Sequence, residues 1–90
     1  MTPEAAETLA LQALGYIAAD QRLLEGLQGN SGLDAETLRA GVGDPEILAG
    51  VLDFLLKDER QLVPFCEHVG VDPRLPGRAR YVITGETPYE

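Results

Sequence analysis

Residues 47–72 repeat residues 9–34 under a shift of 38, the spacing between Asp20 and Asp58. In that register identities fall at Leu14/Leu52, Asp20/Asp58, Arg22/Arg60, Leu24/Leu62, Gly32/Gly70 and Asp34/Asp72. Apolar residues match at Leu9/Ile47, Tyr16/Phe54, Ile17/Leu55, Leu27/Phe65 and Leu33/Val71, and the helix-weak Gly26 and Pro64 coincide. Each unit reads as a long helix, an aspartate, a shorter amphipathic helix and a Gly-apolar-Asp stop. One such pair cannot bury its own apolar face, whereas two stacked pairs can. The chain has 90 residues and room for little more, since a domain of this size hides only about 60–65% of its unfolded surface. With no tryptophan and only Tyr16, Phe54, Phe65, Tyr81 and Tyr89 as aromatics, the core rests on aliphatic residues, which favours helices over sheets.

Start and stop signals divide the repeat. Thr2-Pro3-Glu4 supplies an N-cap, a proline where no amide hydrogen is needed and an acid on the helix dipole. The helix it opens runs to about Ala19, with Ala6, Ala10, Ala13 and Ile17 central on its apolar arc. Leu9 and Tyr16 form one shoulder, Leu11 and Leu14 the other, and the small central residues admit a close partner helix. Asp20 caps a second helix carrying Leu23, Leu24 and Leu27, closed by a turn at Gly29-Asn30-Ser31-Gly32. Asp34 caps a short third helix through Leu38 to about Ala40, and Gly41-Val42-Gly43 breaks the chain.

Asp44-Pro45-Glu46 then repeats the cap–proline–acid start. Across roughly 45–57, Ile47, Leu48, Val51, Leu52, Phe54, Leu55 and Leu56 cover about 200° of the helix circumference. So wide a stripe belongs to a central helix touched on two sides, or to one whose second shoulder meets another molecule. Asp58 caps a fifth helix with Leu62, Phe65 and Val69 inward and Gly70 as its stop. Pro64 within it predicts a kink or a late start near Gln61.

Beyond Val71-Asp72-Pro73 the chain turns rich in proline, glycine and arginine. Arg80-Tyr81-Val82-Ile83-Thr84 reads locally as a strand, yet nothing else offers an edge to pair with. The expected fold is therefore all-α: a small bundle of four to five helices in two similar pairs over 1–72, with 73–90 as an extended C-terminal arm. Its expected core is Leu14, Ile17, Leu24, Leu27, Leu48, Val51, Leu52, Leu55, Leu62 and Phe65.

Ala10-Leu11-Gln12-Ala13-Leu14 through Asp20, then Gly43-Asp44-Pro45 leading into Val51-Leu52-Asp53-Phe54-Leu55-Leu56 and Asp58-Glu59, resemble an alphaproteobacterial family known only as domain of unknown function 3572. The resemblance covers about residues 4–75 and is most specific from Gly-Asp-Pro to Leu-Asp-Phe-Leu-Leu. It implies a small helical fold in the bacterial cytosol and brings no activity and no functional residues. The segment 76–90 departs from the family's pattern.

Little chemistry is legible. A single cysteine excludes an internal disulfide and a Cys-rich metal site. Cys66 and His68, two positions apart on one helix, point about 200° away from each other and make no nucleophile–base dyad there. Cys66 reads as a partly buried small hydrophobe, and His68 as an exposed residue suited to a helix C-terminus. Asp20, Asp34, Asp44 and Asp58 stand at N-caps, and Glu4, Glu36, Glu46 and Glu59 in first turns, so capping explains most acids of the body. There is no Asp-x-Asp-x-Asp-Gly calcium loop, and no metal or cofactor is expected. Asp53, in mid-helix, is either solvated on the narrow polar side with Lys57 one turn on as partner, or buried in an ion pair with Arg22 or Arg60 that fixes how the two repeats dock. Gly41-x-Gly43 is at most half a phosphate loop, since Asp44 takes the helix cap and no lysine follows. Helices 34–41 and 45–57 imitate a helix-turn-helix, but the second is too aliphatic to read a groove.

Residues 1–72 carry thirteen acids and four bases, and 73–90 three bases and two acids, for a net charge of −8. That charge opposes non-specific binding to nucleic acid or anionic membrane. No run approaches the roughly 18–20 apolar residues of a membrane span, and the first residues lack the basic flank of a signal peptide, so a cytoplasmic address is expected. Arg74, Arg78 and Arg80 with Tyr81 form the one basic cluster. It either lies across the acidic body or holds an acidic partner, an RNA or a second copy. The expected function is a protein–protein interaction or adaptor module with a protein partner, a second copy included. A nucleic-acid accessory factor acting through the arm, or an enzyme with an unrecognised carboxylate site, are the alternatives.

Overall fold

The Thr-Pro-Glu start does what its pattern requires: Thr2 Oγ1 accepts the Ala5 amide at 3.1 Å and opens helix α1, Pro3–Ala18. The computed structural model describes residues 1–31, 36, 40 and 44–85, and within them four more helices follow. Asp20 Oδ1 accepts the Arg22 amide at 2.9 Å at the head of α2, Gln21–Ser31. Asp44 does the same for Glu46 at 2.9 Å and opens α3, Pro45–Leu56. Asp58 opens α4, Glu59–Val69, which Gly70 ends in the left-handed conformation at φ 73°. Finally α5, Leu75–Thr84, closes on Gly85 at φ 77°. Both glycines occupy a region that side chains with a Cβ rarely enter.

The 38-residue register is visible in the backbone. Helices α1 and α3 end at Ala18 and Leu56, and α2 and α4 run Gln21–Ser31 and Glu59–Val69. The closing bonds Ala19 N–Gly15 O (3.1 Å) and Asp20 N–Ile17 O (3.1 Å) recur as Lys57 N–Asp53 O (3.0 Å) and Asp58 N–Leu55 O (3.3 Å). Two local expectations change. The turn expected at Gly29 does not form there, because α2 continues through Ser31. The late start near Gln61 is not taken either: Asp58 caps the helix at Glu59 and Pro64 lies inside it. The helix expected from Asp34 and the Gly41–Gly43 break fall outside the described residues, apart from Glu36 and Ala40, both exposed.

The extended arm is the main correction. Residues 75–84 form α5, and the stretch that reads locally as a strand, Arg80–Thr84, is its second half. Strand propensity in Tyr81, Val82, Ile83 and Thr84 is a weak local preference that burial overrides. Pro76 and Ala79 are buried one turn apart, and Leu75, Val82 and Ile83 pack against the core beside them. Pro76 is tolerated because it stands in the first turn, where amides have no helical acceptor.

Helix α5 lies against α1 and α3, its principal neighbours. Ala6, Ala10, Ala13 and Ala79 are all fully buried, so the small arc of α1 admits a close-packed neighbour. Helix α3 touches all four other helices, which accounts for its wide apolar stripe within the chain. Of the expected core, Leu14 and Leu24 are only partly buried and the other eight are buried. Phe54, Cys66, Pro76 and Ala79 join them. Gly26 of α2 faces the ring of Phe54: a Cβ there would sit 3.0 Å from Phe54 Cζ, so the ring would have to shift to restore normal carbon contact.

Candidate interaction groove

A concavity opens between elements where the last turns of α1 and α4 meet. Tyr16 of α1 stands edge-on to the buried Phe65, with ring centroids 5.3 Å apart at 62°. Its other neighbour is His68 of α4, at 5.4 Å and 45°. Phe65, held in the core at 0% exposure, keeps the half-buried tyrosine ring upright at the surface. Beside these rings opens a groove of about 520 Å³, lined also by Gln12, Gly15, Ala19 and Asp20. Its volume falls in the range of ligand-binding clefts. Gly15 is exposed and helical, and a Cβ built on it meets nothing within 4 Å.

Three Asp-x-Arg triplets mark helix starts or turns, at 20–22, 58–60 and 72–74. In two of them the arginine folds back as a fork. Arg60 places Nε 3.2 Å from Asp58 Oδ1 and Nη2 3.1 Å from Oδ2. Arg74 does the same to Asp72, at 3.2 and 3.2 Å. The hydrogen bond from each guanidinium holds its carboxyl below the usual range for aspartate. The third triplet stays open. Asp20 Oδ1 accepts the amides of Arg22 and Leu23, at 2.9 and 3.4 Å, and no ion pair reaches it among the described residues. This open carboxylate lines the groove.

The four residues of the basic cluster divide between two places. Arg74 is tied to Asp72, and Arg78 is exposed beside them in a small pocket of about 180 Å³. Arg80, two positions on and so on another side of α5, pairs instead with Asp53 of α3. Tyr81 is half-buried, with the Arg80 guanidinium 6.0 Å from its ring centre. The cation on Asp53 is thus none of the three expected, neither Lys57, Arg22 nor Arg60. Cys66 is buried, not partly buried, and burial pushes its thiol above the ordinary value while the nearby Asp72 charge adds to the shift. His68 is exposed on the other side of the helix. Among the described residues no group of three or more His, Cys, Asp or Glu is placed to hold a metal ion.

The groove has no linear signature. Tyr16 and His68 lie on different repeats, and each is accounted for locally as a helix shoulder or a helix terminus. Gly15 is a faint clue, a glycine in mid-helix with no turn to make, and Gly50 of α3 shares it.

Fold and surface together define a class: a small all-helical protein of two similar helix pairs clasped by a C-terminal helix, with an aromatic-walled groove where α1 and α4 end. The chain belongs to the family described as protein of unknown function (DUF3572), whose sequence profile matches residues 3–86. The match takes in α5, so the C-terminal helix is shared with the family and is not a departure from it. No curated protein and no solved structure matches the chain.

Proposed function

We propose that this protein is a cytoplasmic protein–protein interaction module that docks a segment of its partner in the groove beside Tyr16. Gly15 carries the reading. A glycine in an exposed helix interior costs about 1 kcal/mol relative to alanine. Gly15 has no positive φ and no neighbour that a Cβ would strike; the same holds for Gly29 and Gly50, but of the three only Gly15 lines the groove, whereas a Cβ on Gly26 would crowd the Phe54 ring. A bare backbone beside Tyr16 in the groove lining suits close approach by another chain. The apolar stripe of α3 is largely covered by the protein's own helices, with Ile47 and Leu56 left half-buried at its edges.

Two further observations support a binding role over the alternatives. Arg74 and Arg80 are engaged by Asp72 and Asp53, which leaves a net charge of −8 with little basic surface for nucleic acid. The one thiol is buried and held protonated, away from the exposed His68, which suits packing and not nucleophilic catalysis. For the address, no helix among the described residues is long and apolar enough to cross a membrane, and a single free cysteine suits a reducing compartment.

The test is affinity capture from the native host with the wild-type chain and with Gly15→Arg, which fills the groove from an exposed position. The variant should melt at or above the wild-type temperature and lose the captured partner. Equal recovery of the same partner by both chains rejects the groove as the docking site.

A further inference from the structure

We infer that the groove receives an arginine side chain of the partner, its guanidinium forking onto Asp20 and its flat face lying against Tyr16. The inference rests on the docking reading above and names the chemistry of what docks. It starts from the three Asp-x-Arg triplets. Asp58 and Asp72 each hold the arginine two positions on in a two-point fork. Asp20 occupies the same place in the repeat as Asp58, with Arg22 in the place of Arg60, and its cap bond to the following amide has the same length, 2.9 Å. Yet Arg22 makes no ion pair with it among the described residues. Of the three, only Asp20 lines the groove.

The rest of the lining fits the same ligand. A guanidinium is planar, pairs with a carboxylate through two parallel N–H groups and stacks on aromatic faces. Tyr16 offers such a ring, fixed by Phe65 behind it. Gln12 adds a side-chain carbonyl at the same groove, and among the described residues no lysine or arginine lines it. Gly15 leaves room for the stem of the incoming side chain. The net charge of −8 draws a basic segment toward this surface from a distance.

The probe is the blocked tripeptide acetyl-Gly-Arg-Gly-amide, titrated into the full ¹⁵N-labelled chain, with the citrulline analogue as a neutral control of the same shape. Saturable shifts are expected at Gly15, Tyr16, Ala19, Asp20 and His68 with the arginine peptide. Asp20→Asn keeps the helix cap, since asparagine caps as well as aspartate. It should weaken binding about five- to tenfold, as loss of one charge-assisted contact does. Three results overturn the inference: no saturable shift in the groove, equal binding of the citrulline peptide, or equal binding by Asp20→Asn. If any of these occurs while Gly15→Arg still abolishes capture, the docking reading stands and only the arginine is withdrawn. If Gly15→Arg leaves capture intact, the docking reading itself has failed.

Discussion

Arg80 of α5 reaches back 27 positions to pair with Asp53 in the middle of α3. The pair is half-exposed, with side-chain accessibilities of 29% for Arg80 and 48% for Asp53. Asp53 is a poor residue for a helix interior by itself. It stands at the seam where the C-terminal helix closes on the central one, and the arginine of that helix covers it.

A pair this accessible contributes modestly. A double-mutant cycle on Asp53→Ala and Arg80→Ala should give a coupling of about 0.5–1 kcal/mol. The coupling should shrink as salt is raised. A coupling indistinguishable from zero at low salt means that the pair only decorates the seam.

The packing of α5 matters far more than its charge. Ala79 is fully buried, as are Ala6, Ala10 and Ala13 of α1, the helix α5 packs against most closely. Ala79→Leu should therefore destabilise by about 1–3 kcal/mol through overpacking. Ending the chain after Arg74 should abolish cooperative thermal unfolding. A truncated chain that melts like the full one would return 75–84 to the status of an arm.

The same substitution should have opposite signs at two glycines. Gly15→Ala adds a methyl in open space and should stabilise by about 0.5–1 kcal/mol. Gly26→Ala brings a methyl to 3.0 Å from the buried ring of Phe54, and the strain should exceed the helix-propensity gain, for a net loss of about 1 kcal/mol. Chemical denaturation of both variants distinguishes a glycine required by packing from one that is not.

Leu52 and Leu55 are both fully buried at the centre of the bundle. Either one replaced by alanine should cost about 2–5 kcal/mol, a large share of the stability of a domain this small. An unchanged melting temperature for either would contradict the position of α3.

Cys66 sets an alkaline limit. Its thiol titrates above the ordinary 9.0 because burial opposes the thiolate and the Asp72 charge adds to this. Above that ordinary value the unfolded chain has released the proton while the folded one still holds it. Stability is therefore fully present below about pH 9 and declines as pH rises toward the folded-state value. Cys66→Ala should flatten this decline in melts taken from neutral to alkaline pH, and parallel curves for both proteins would show that the thiol is not its source.

Much of the architecture is legible locally. Thr2, Asp20, Asp44 and Asp58 cap the helices they precede, because capping needs only a side-chain oxygen and amides two or three residues away. The 38-residue register carries through to the helix ends for the same reason. The apolar periodicity of α3 marks it as a helix contacted on two sides, within the chain or by another molecule, and the all-helical class follows from a largely aliphatic palette to which Arg80–Thr84 is a local exception.

What the tertiary structure alone decides involves residues far apart in the chain. Whether 75–84 is an arm or a helix depends on whether Pro76, Ala79, Val82 and Ile83 find an apolar surface, and only the assembled α1 and α3 provide it. The partner of Asp53 follows from that closure. So does the end-wall meeting of Tyr16 and His68, which no periodicity links. Caps and periodic faces are short-range and are written into the sequence as neighbours. Helix closure, an ion pair between distant helices and a groove between two helix ends are long-range, and they exist only once burial has brought their parts together.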